Sequence, residues 1–177
     1  MSQTMHCYIY ISGWYHMELC EQKELIQLIK SSLTAIDGLW FLEVENELGF
    51  DKAFEIDLDV WKKYGPIIIR RIIKMLSITD NNLDSFIRIL EIICEIDGTK
   101  FTIKEKSQNE ALILVDYCPW YENLKRSKRE NLVRCDVVDK TIFPEWIQSF
   151  SPNLKLELSR SIPEGHDRCE WRIFSKE

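Results

Sequence analysis

The chain has 177 residues, of which 45% are apolar and 29% charged, as in an ordinary globular protein of one domain. Its net charge of −6 argues against nucleic acid as the main partner, because phosphate binding needs a dominant basic surface. We recognise no signal peptide and no run of about 20 apolar residues, so we expect a cytoplasmic protein with no membrane segment.

The first part of the chain is predicted to be helical, after an irregular N-terminal segment over residues 1–17. Gly65-Pro66 is expected to break or kink the chain between two helices, since proline cannot continue the backbone hydrogen bonding. Asn81 or Asn82 opens the last helix and Gly98 ends it. The expected helices, which have apolar residues at helical spacing, run over 18–35, 38–48, 52–64, 66–76 and 83–96.

The apolar faces of the first two helices are expected to contribute to the core. In the second helix Leu39, Trp40, Val44 and Leu48 are predicted to face inward. Asp37 is expected to cap this helix, which would separate it from the one before.

Residues 98–177 are predicted to form strands around a helical insertion. The insertion begins at Pro119 and continues to about Phe150, with an interruption near Pro144. The predicted fold is therefore α+β: an N-terminal helical layer (18–97) packed on a small antiparallel sheet within a single domain, 1–177. The expected strands, which alternate apolar and polar residues or are mainly apolar, are 101–106, 111–117, 154–162 and 169–174.

Three cysteines of the second half are the main candidates for a functional site. Cys118 ends a strand, Cys135 lies on the inserted helix and Cys169 starts the last strand, so we expect the three thiols to converge. Thiolates are strong ligands of zinc, and three protein ligands leave one position open for chemistry. No CxxC pair is present, and buried structural cysteines are the alternative interpretation.

Neighbouring polar residues could complete such a site. His166 is the only histidine of the second half and could act as the base for a thiolate nucleophile, although an exposed turn residue is equally compatible with its position. The candidates for a fourth metal ligand or a general base are Asp136, Asp139, Glu157 and His166.

A second set of charged residues lies within the apolar pattern of the helical half. Glu43 follows Trp40 by three residues, and Asp57 precedes Trp61 by four, so each pair shares one side of a helix. These carboxylates and Arg70 or Arg71 could form a buried network, because buried charges need partners. Surface charges beside core aromatics are the alternative.

The C-terminal sequence resembles that of a known enzyme family. Residues 135–174 resemble the C-terminal signature of the L-2-amino-thiazoline-4-carboxylic acid hydrolase family, through Cys135, Asp139, Pro152-Asn153 and the pair Gly165 and Cys169. The resemblance implies a small-molecule-binding domain that hydrolyses a C–N or C–S bond of a small heterocyclic acid.

The implied site combines catalytic and metal-binding residues. It would use Cys135, Asp139 and His166 in catalysis, with Cys118, Cys135 and Cys169 as ligands of zinc or iron, and no nucleotide cofactor is expected. The same C-terminal ending is similar to 4-vinyl reductase type domains, whose relatives sense aromatic compounds. A non-enzymatic sensory module that binds a small molecule or hydrocarbon is therefore the alternative function. A purely structural domain is a third, and a homodimer is compatible with each.

Overall fold

The computed structural model describes residues 22–132 and 134–176 and confirms the predicted α+β fold. The predictions for residues 1–17 and for the start of the first helix at residue 18 lie outside this range. The described elements are α1 (Gln22–Leu48), α2 (Phe50–Leu76), α3 (Leu83–Asp97), β1 (Lys100–Lys106), β2 (Glu110–Tyr117), α4 (Pro119–Arg126), α5 (Cys135–Phe150), β3 (Leu154–Arg160), a 3-10 turn (Ile162–Glu164) and β4 (Glu170–Ser175).

The strands form one antiparallel sheet in the order β1-β2-β4-β3. β1 pairs with β2 and β3 with β4, so both predicted hairpins are confirmed. The two hairpins join through β2 and β4, in which Ile113 lies opposite Trp171. Because these strands are antiparallel, the end of β2 and the beginning of β4 lie at the same edge of the sheet.

The hydrophobic core lies between one face of this sheet and the helices. α5 packs on both β3 and α2, and α3 contacts β4. Successive side chains of a strand point to opposite faces, so alternate residues of β2, β3 and β4 are buried against the helices. These buried residues are Ala111, Ile113 and Val115 of β2, Leu154 and Leu156 of β3, and Trp171 and Ile173 of β4.

The predicted break at Gly65-Pro66 is wrong, because both residues lie within the continuous helix α2. The proline removes one backbone hydrogen bond, and the packing of α2 on α5 offsets this cost. A Cβ at Gly65 would overlap the indole ring of Trp146 on α5. The glycine is therefore present because the two helices approach each other closely at this point.

Other predicted helix boundaries have mixed outcomes. Asp37 lies inside α1 and Pro144 inside α5, where the sequence predicted boundaries. The boundaries of α3 are confirmed. The side-chain oxygen of Asn82 accepts a hydrogen bond from a first-turn backbone N–H at 3.0 Å, and Gly98 follows the helix with a left-handed φ of 86°.

The inward orientation predicted for Leu39, Trp40 and Leu48 is also wrong, because all three are exposed in the single chain. The segment Lys23–Leu48 of α1 is long and apolar enough, by length and composition, to cross a membrane, and none of the qualifying stretch is buried. This corrects the expectation that no segment has that length and composition.

Candidate functional site

The structure brings together the three cysteines that the sequence singled out. Cys118 follows β2 and begins α4, Cys169 directly precedes β4, and Cys135 is the first residue of α5. The backbone N–H of Val115 donates to the carbonyl of Cys169 at 2.9 Å, which fixes the end of β2 beside the start of β4. The three thiols lie close enough to influence one another's pKa.

The three thiols are held in their neutral form. Burial raises the pKa of Cys118 to about 12, and it also raises the pKa of Cys135 and Cys169. The nearby carboxyl of Asp139 adds to the increase at all three. A thiol is nucleophilic and binds metal as the thiolate, so this environment opposes both roles.

Local hydrogen bonds fix two of these sulfur atoms. The Sγ of Cys118 accepts the backbone N–H of Tyr121 at 3.4 Å, so this cysteine acts as the N-cap of α4. A hydrogen bond from the backbone N–H of Ile162, in the 3-10 turn, lowers the pKa of Cys169 and so partly offsets the effect of burial. The sulfur atoms thus accept backbone hydrogen bonds where elements begin and end.

Among the described residues, Asp139 is the one acidic side chain that interacts with all three thiols. Burial raises its pKa to about 7, and the neighbouring carboxylate of Asp136 adds to the rise. The indole N–H of Trp171 lies beside this carboxyl, where it lowers the pKa and partly offsets the rise. The N–H forms no hydrogen bond of standard geometry with the described residues. Asp139 therefore gains and loses its proton near neutral pH. It does so beside the buried indole N–H of Trp171, which lacks a hydrogen-bond acceptor of standard geometry among the described residues.

Cys135, Cys169 and Trp171 are buried in the hydrophobic core, and Cys118 packs against it. Cys118 and Asp139 keep part of their surface accessible, although protein atoms surround both on nearly every side. The ring of Phe143 meets the ring of Trp171 edge to face, at 5.0 Å between centroids. We call the group Cys118, Cys135, Asp139, Cys169 and Trp171 the thiol–carboxyl site.

Asp136 has a different role from Asp139, although both lie near the start of α5. Its carboxylate accepts hydrogen bonds from Arg134 at 2.7 and 2.8 Å, and this pairing holds its pKa below the usual value. Lys140 also contacts it at 3.5 Å and pairs with Glu164 at 2.8 Å. Asp136 therefore fixes the start of α5 against the 3-10 turn.

Two other predicted members lie away from the thiols. His166 is exposed in the turn before β4, and it does not contribute to the shifted pKa of any of the three cysteines. Glu157 is exposed on β3, on the opposite face from the buried leucines. A catalytic role for His166 therefore stays a prediction.

The described residues contain no cluster of three or more His, Cys, Asp or Glu side chains with the arrangement of a metal site. Zinc or iron bound by Cys118, Cys135 and Cys169 therefore stays a prediction. The sequence analysis also did not single out Trp171 as a site residue, since its strand alternation indicated only a buried position.

The carboxylate network predicted for the helical half is wrong. Asp57 is buried on α2, and burial raises its pKa to about 6. The carboxyl of Asp37 on α1 adds to this rise, and a hydrogen bond from Trp61 partly offsets it. Glu43 and both arginines are exposed, so Asp57 faces another acid instead of a cation.

Residues 18–175 match the model of a family of unknown function (DUF6125), and the chain therefore belongs to that family. A search of curated proteins gives no match.

Solved structures with similar folds include two ligand-bound proteins. A trafficking protein particle complex subunit 3 from Naegleria fowleri, covalently bound to palmitic acid, has a TM-score of 0.51 and 15% identity, over 88% of this chain and 98% of that one. The phenol-responsive sensory domain of the transcription activator PoxR, with phenol, has a TM-score of 0.49 and 14% identity, over 91% and 77% respectively. At such identities the similarity establishes the fold alone.

Proposed function

We propose that this member of the DUF6125 family binds a small, mainly apolar molecule that carries one hydrogen-bonding group. The observation that carries the proposal is the buried indole N–H of Trp171, which lies beside Asp139 without a full hydrogen-bond partner among the described residues. A buried donor left unpaired costs about 1–3 kcal/mol. A ligand that accepts this hydrogen bond would recover that free energy.

The surroundings of this donor suit an apolar ligand. Neutral thiols behave as small apolar groups, and the edge-to-face ring of Phe143 adds an aromatic wall. Ligand sites in proteins are mostly apolar, with a few polar groups that orient the ligand. In the thiol–carboxyl site, Asp139 and Trp171 are the groups that would do so.

A surface cleft lies near the site. It has a volume of about 400 Å³, lies between α3 and β1, and includes Cys94, Phe101 and Ile103 in its lining. The volume lies within the range of roughly 300–1,000 Å³ that small-molecule sites occupy. Cys94 is close enough to Cys118 for their thiols to interact electrostatically, so the cleft lies next to the site.

The palmitic acid bound to the Naegleria protein supports a fatty acid as the probe ligand. A fatty acid combines a long apolar chain with a single polar end, which is the form that the site would accommodate. Its carboxylate can accept a hydrogen bond from Trp171 and a second one from Asp139 when Asp139 is protonated. Because burial raises the pKa of Asp139 to about 7, binding should weaken as the pH rises above 7.

Hydrolysis of a C–N or C–S bond, the activity that the sequence resemblance implies, is the weaker alternative. A cysteine nucleophile needs a lowered pKa or an adjacent base. Here burial raises the pKa of the three thiols, and His166 is exposed. We therefore favour binding without turnover, as in a sensory module.

Calorimetric titration with palmitic acid at pH 6.5 tests the proposal. Trp171→Phe keeps the ring and removes the donor, so we expect it to weaken binding about tenfold. Glu157→Gln is the matched control, because this carboxylate is exposed on β3 away from the thiols, and its affinity should stay unchanged. No binding by the wild-type protein, or equal affinity in Trp171→Phe, would overturn the proposal.

A further inference from the structure

The outer side of α1 carries an exposed apolar stripe. Among the described residues of this helix, nine large apolar side chains are between 38% and 66% exposed. Five of them recur with alternating spacings of three and four residues, which is the heptad pattern of helices that pair side by side. We call these five the α1 stripe: Ile26, Ile29, Leu33, Ile36 and Trp40.

Two ion pairs hold α1 along the body of the domain. Lys30 pairs with Glu95 of α3 at 2.6 Å, and Glu45 pairs with Arg129, which follows α4, at 2.7 Å. These contacts lie toward opposite ends of α1, so the whole helix is docked against the rest of the fold. The α1 stripe therefore lies on the outer surface of the domain. Because α1 is held against the domain, this position suits contact with a partner protein better than insertion into a bilayer.

The charges of α1 indicate which partner fits. Its first nine residues contain Lys23, Glu24 and Lys30, whereas its last twelve contain four acidic residues and no basic one. A parallel pair of these helices would bring the acidic ends together. An antiparallel pair centred on Leu33 would instead place Lys23 of each chain opposite Glu43 of the other.

We propose that α1 pairs antiparallel with α1 of a second copy of this chain. In this register Ile26 lies opposite Trp40 of the other copy, and the two Leu33 side chains meet at the two-fold axis. The five side chains of the α1 stripe present on the order of 500 Å² per chain, which forms the apolar centre of an interface to which each partner usually contributes roughly 800 Å².

Sedimentation velocity at micromolar concentration tests the dimer. The wild-type chain should sediment as a dimer, and Ile29→Glu should raise the dissociation constant at least about 100-fold, since it would bury an unpaired charge. Val137→Glu, at an exposed position of α5, is the control and should leave the dimer intact. A monomeric wild-type protein, or a dimer that Ile29→Glu leaves unchanged, would overturn the proposal.

A charge exchange tests the antiparallel orientation without disturbing the stripe. Lys23→Glu and Glu43→Lys should each weaken the dimer about 3- to 10-fold, and the double variant should restore it. Failure of the double variant to restore the dimer would overturn this orientation. A chain that is monomeric in buffer but sediments with phosphatidylcholine vesicles would overturn the dimer and assign the stripe to a membrane surface.

Discussion

Replacing Asp139 by asparagine should remove a pH-dependent loss of stability. The folded chain raises the pKa of this carboxyl from 3.8 to about 7 because it is buried. Between these values the unfolded chain is ionised while the folded chain keeps its proton, so the wild-type protein loses stability as the pH rises toward 7. Above pH 7 the loss is complete, and it amounts to about 4 kcal/mol.

The comparison between two pH values isolates this effect. Burying the new amide changes stability by the same amount at every pH, so this contribution cancels. The advantage of Asp139→Asn over the wild-type chain should therefore be about 3 kcal/mol larger at pH 8 than at pH 5. Urea unfolding followed by tryptophan fluorescence at pH 5, 6, 7 and 8 measures it.

Asp136→Asn, on the same helix, is the control, because the fold lowers the pKa of Asp136 whereas it raises that of Asp139. Hydrogen bonds from Arg134 lower the pKa of Asp136, so its contribution to stability is fully present above the ordinary value and is lost only in acid. This variant should be less stable than the wild-type protein at both pH 5 and pH 8, and its stability should fall less between these values, because loss of the Asp136 carboxylate lowers the pKa of Asp139. An advantage of Asp139→Asn that does not change between pH 5 and pH 8 would refute the reasoning.

Three further predictions concern packing, thiol reactivity and helix capping. Gly65→Ala should destabilise the fold by about 1–3 kcal/mol by pushing against Trp146, whereas Gly38→Ala, with open space around it, should stabilise α1 by about 0.5–1 kcal/mol; urea unfolding separates the two. At pH 8 the native Cys118 should react with a disulfide reagent roughly 50-fold more slowly than in urea, and mass spectrometry can follow it; an equal rate would contradict its raised pKa. Asn82→Ala should cost about 1 kcal/mol by removing the cap of α3, and unchanged unfolding would contradict that role.

The convergence of the three cysteines could be predicted because it follows from local order along the chain. Cys118 and Cys169 flank two strands that the alternating pattern identifies, and antiparallel pairing brings those positions to one edge of the sheet. The burial that keeps the thiols neutral could not be predicted, since it depends on side chains distant in sequence. The exposed position of His166 could not be predicted for the same reason, because proximity in sequence does not determine which way a turn residue points, and its catalytic role stays a prediction.

In the helical half, the helical spacing of apolar residues identified α3 and the apolar side of α1 correctly. It could not tell whether the rest of the chain or a partner covers that side of α1. The continuous helix through Pro66 depends on the contact between Gly65 and Trp146, which are about eighty residues apart in sequence. Such long-range packing overrides the local preference of proline to end a helix.

Equilibrium binding of palmitic acid at pH 6 and pH 8 tests the central claim most directly. Asp139 is mostly protonated at pH 6 and mostly ionised at pH 8, so the wild-type protein should bind about tenfold more weakly at pH 8, while Asp139→Asn should bind equally at both values. Wild-type affinity that is the same at both pH values, or the absence of binding at either, would contradict the thiol–carboxyl site as the ligand-binding site.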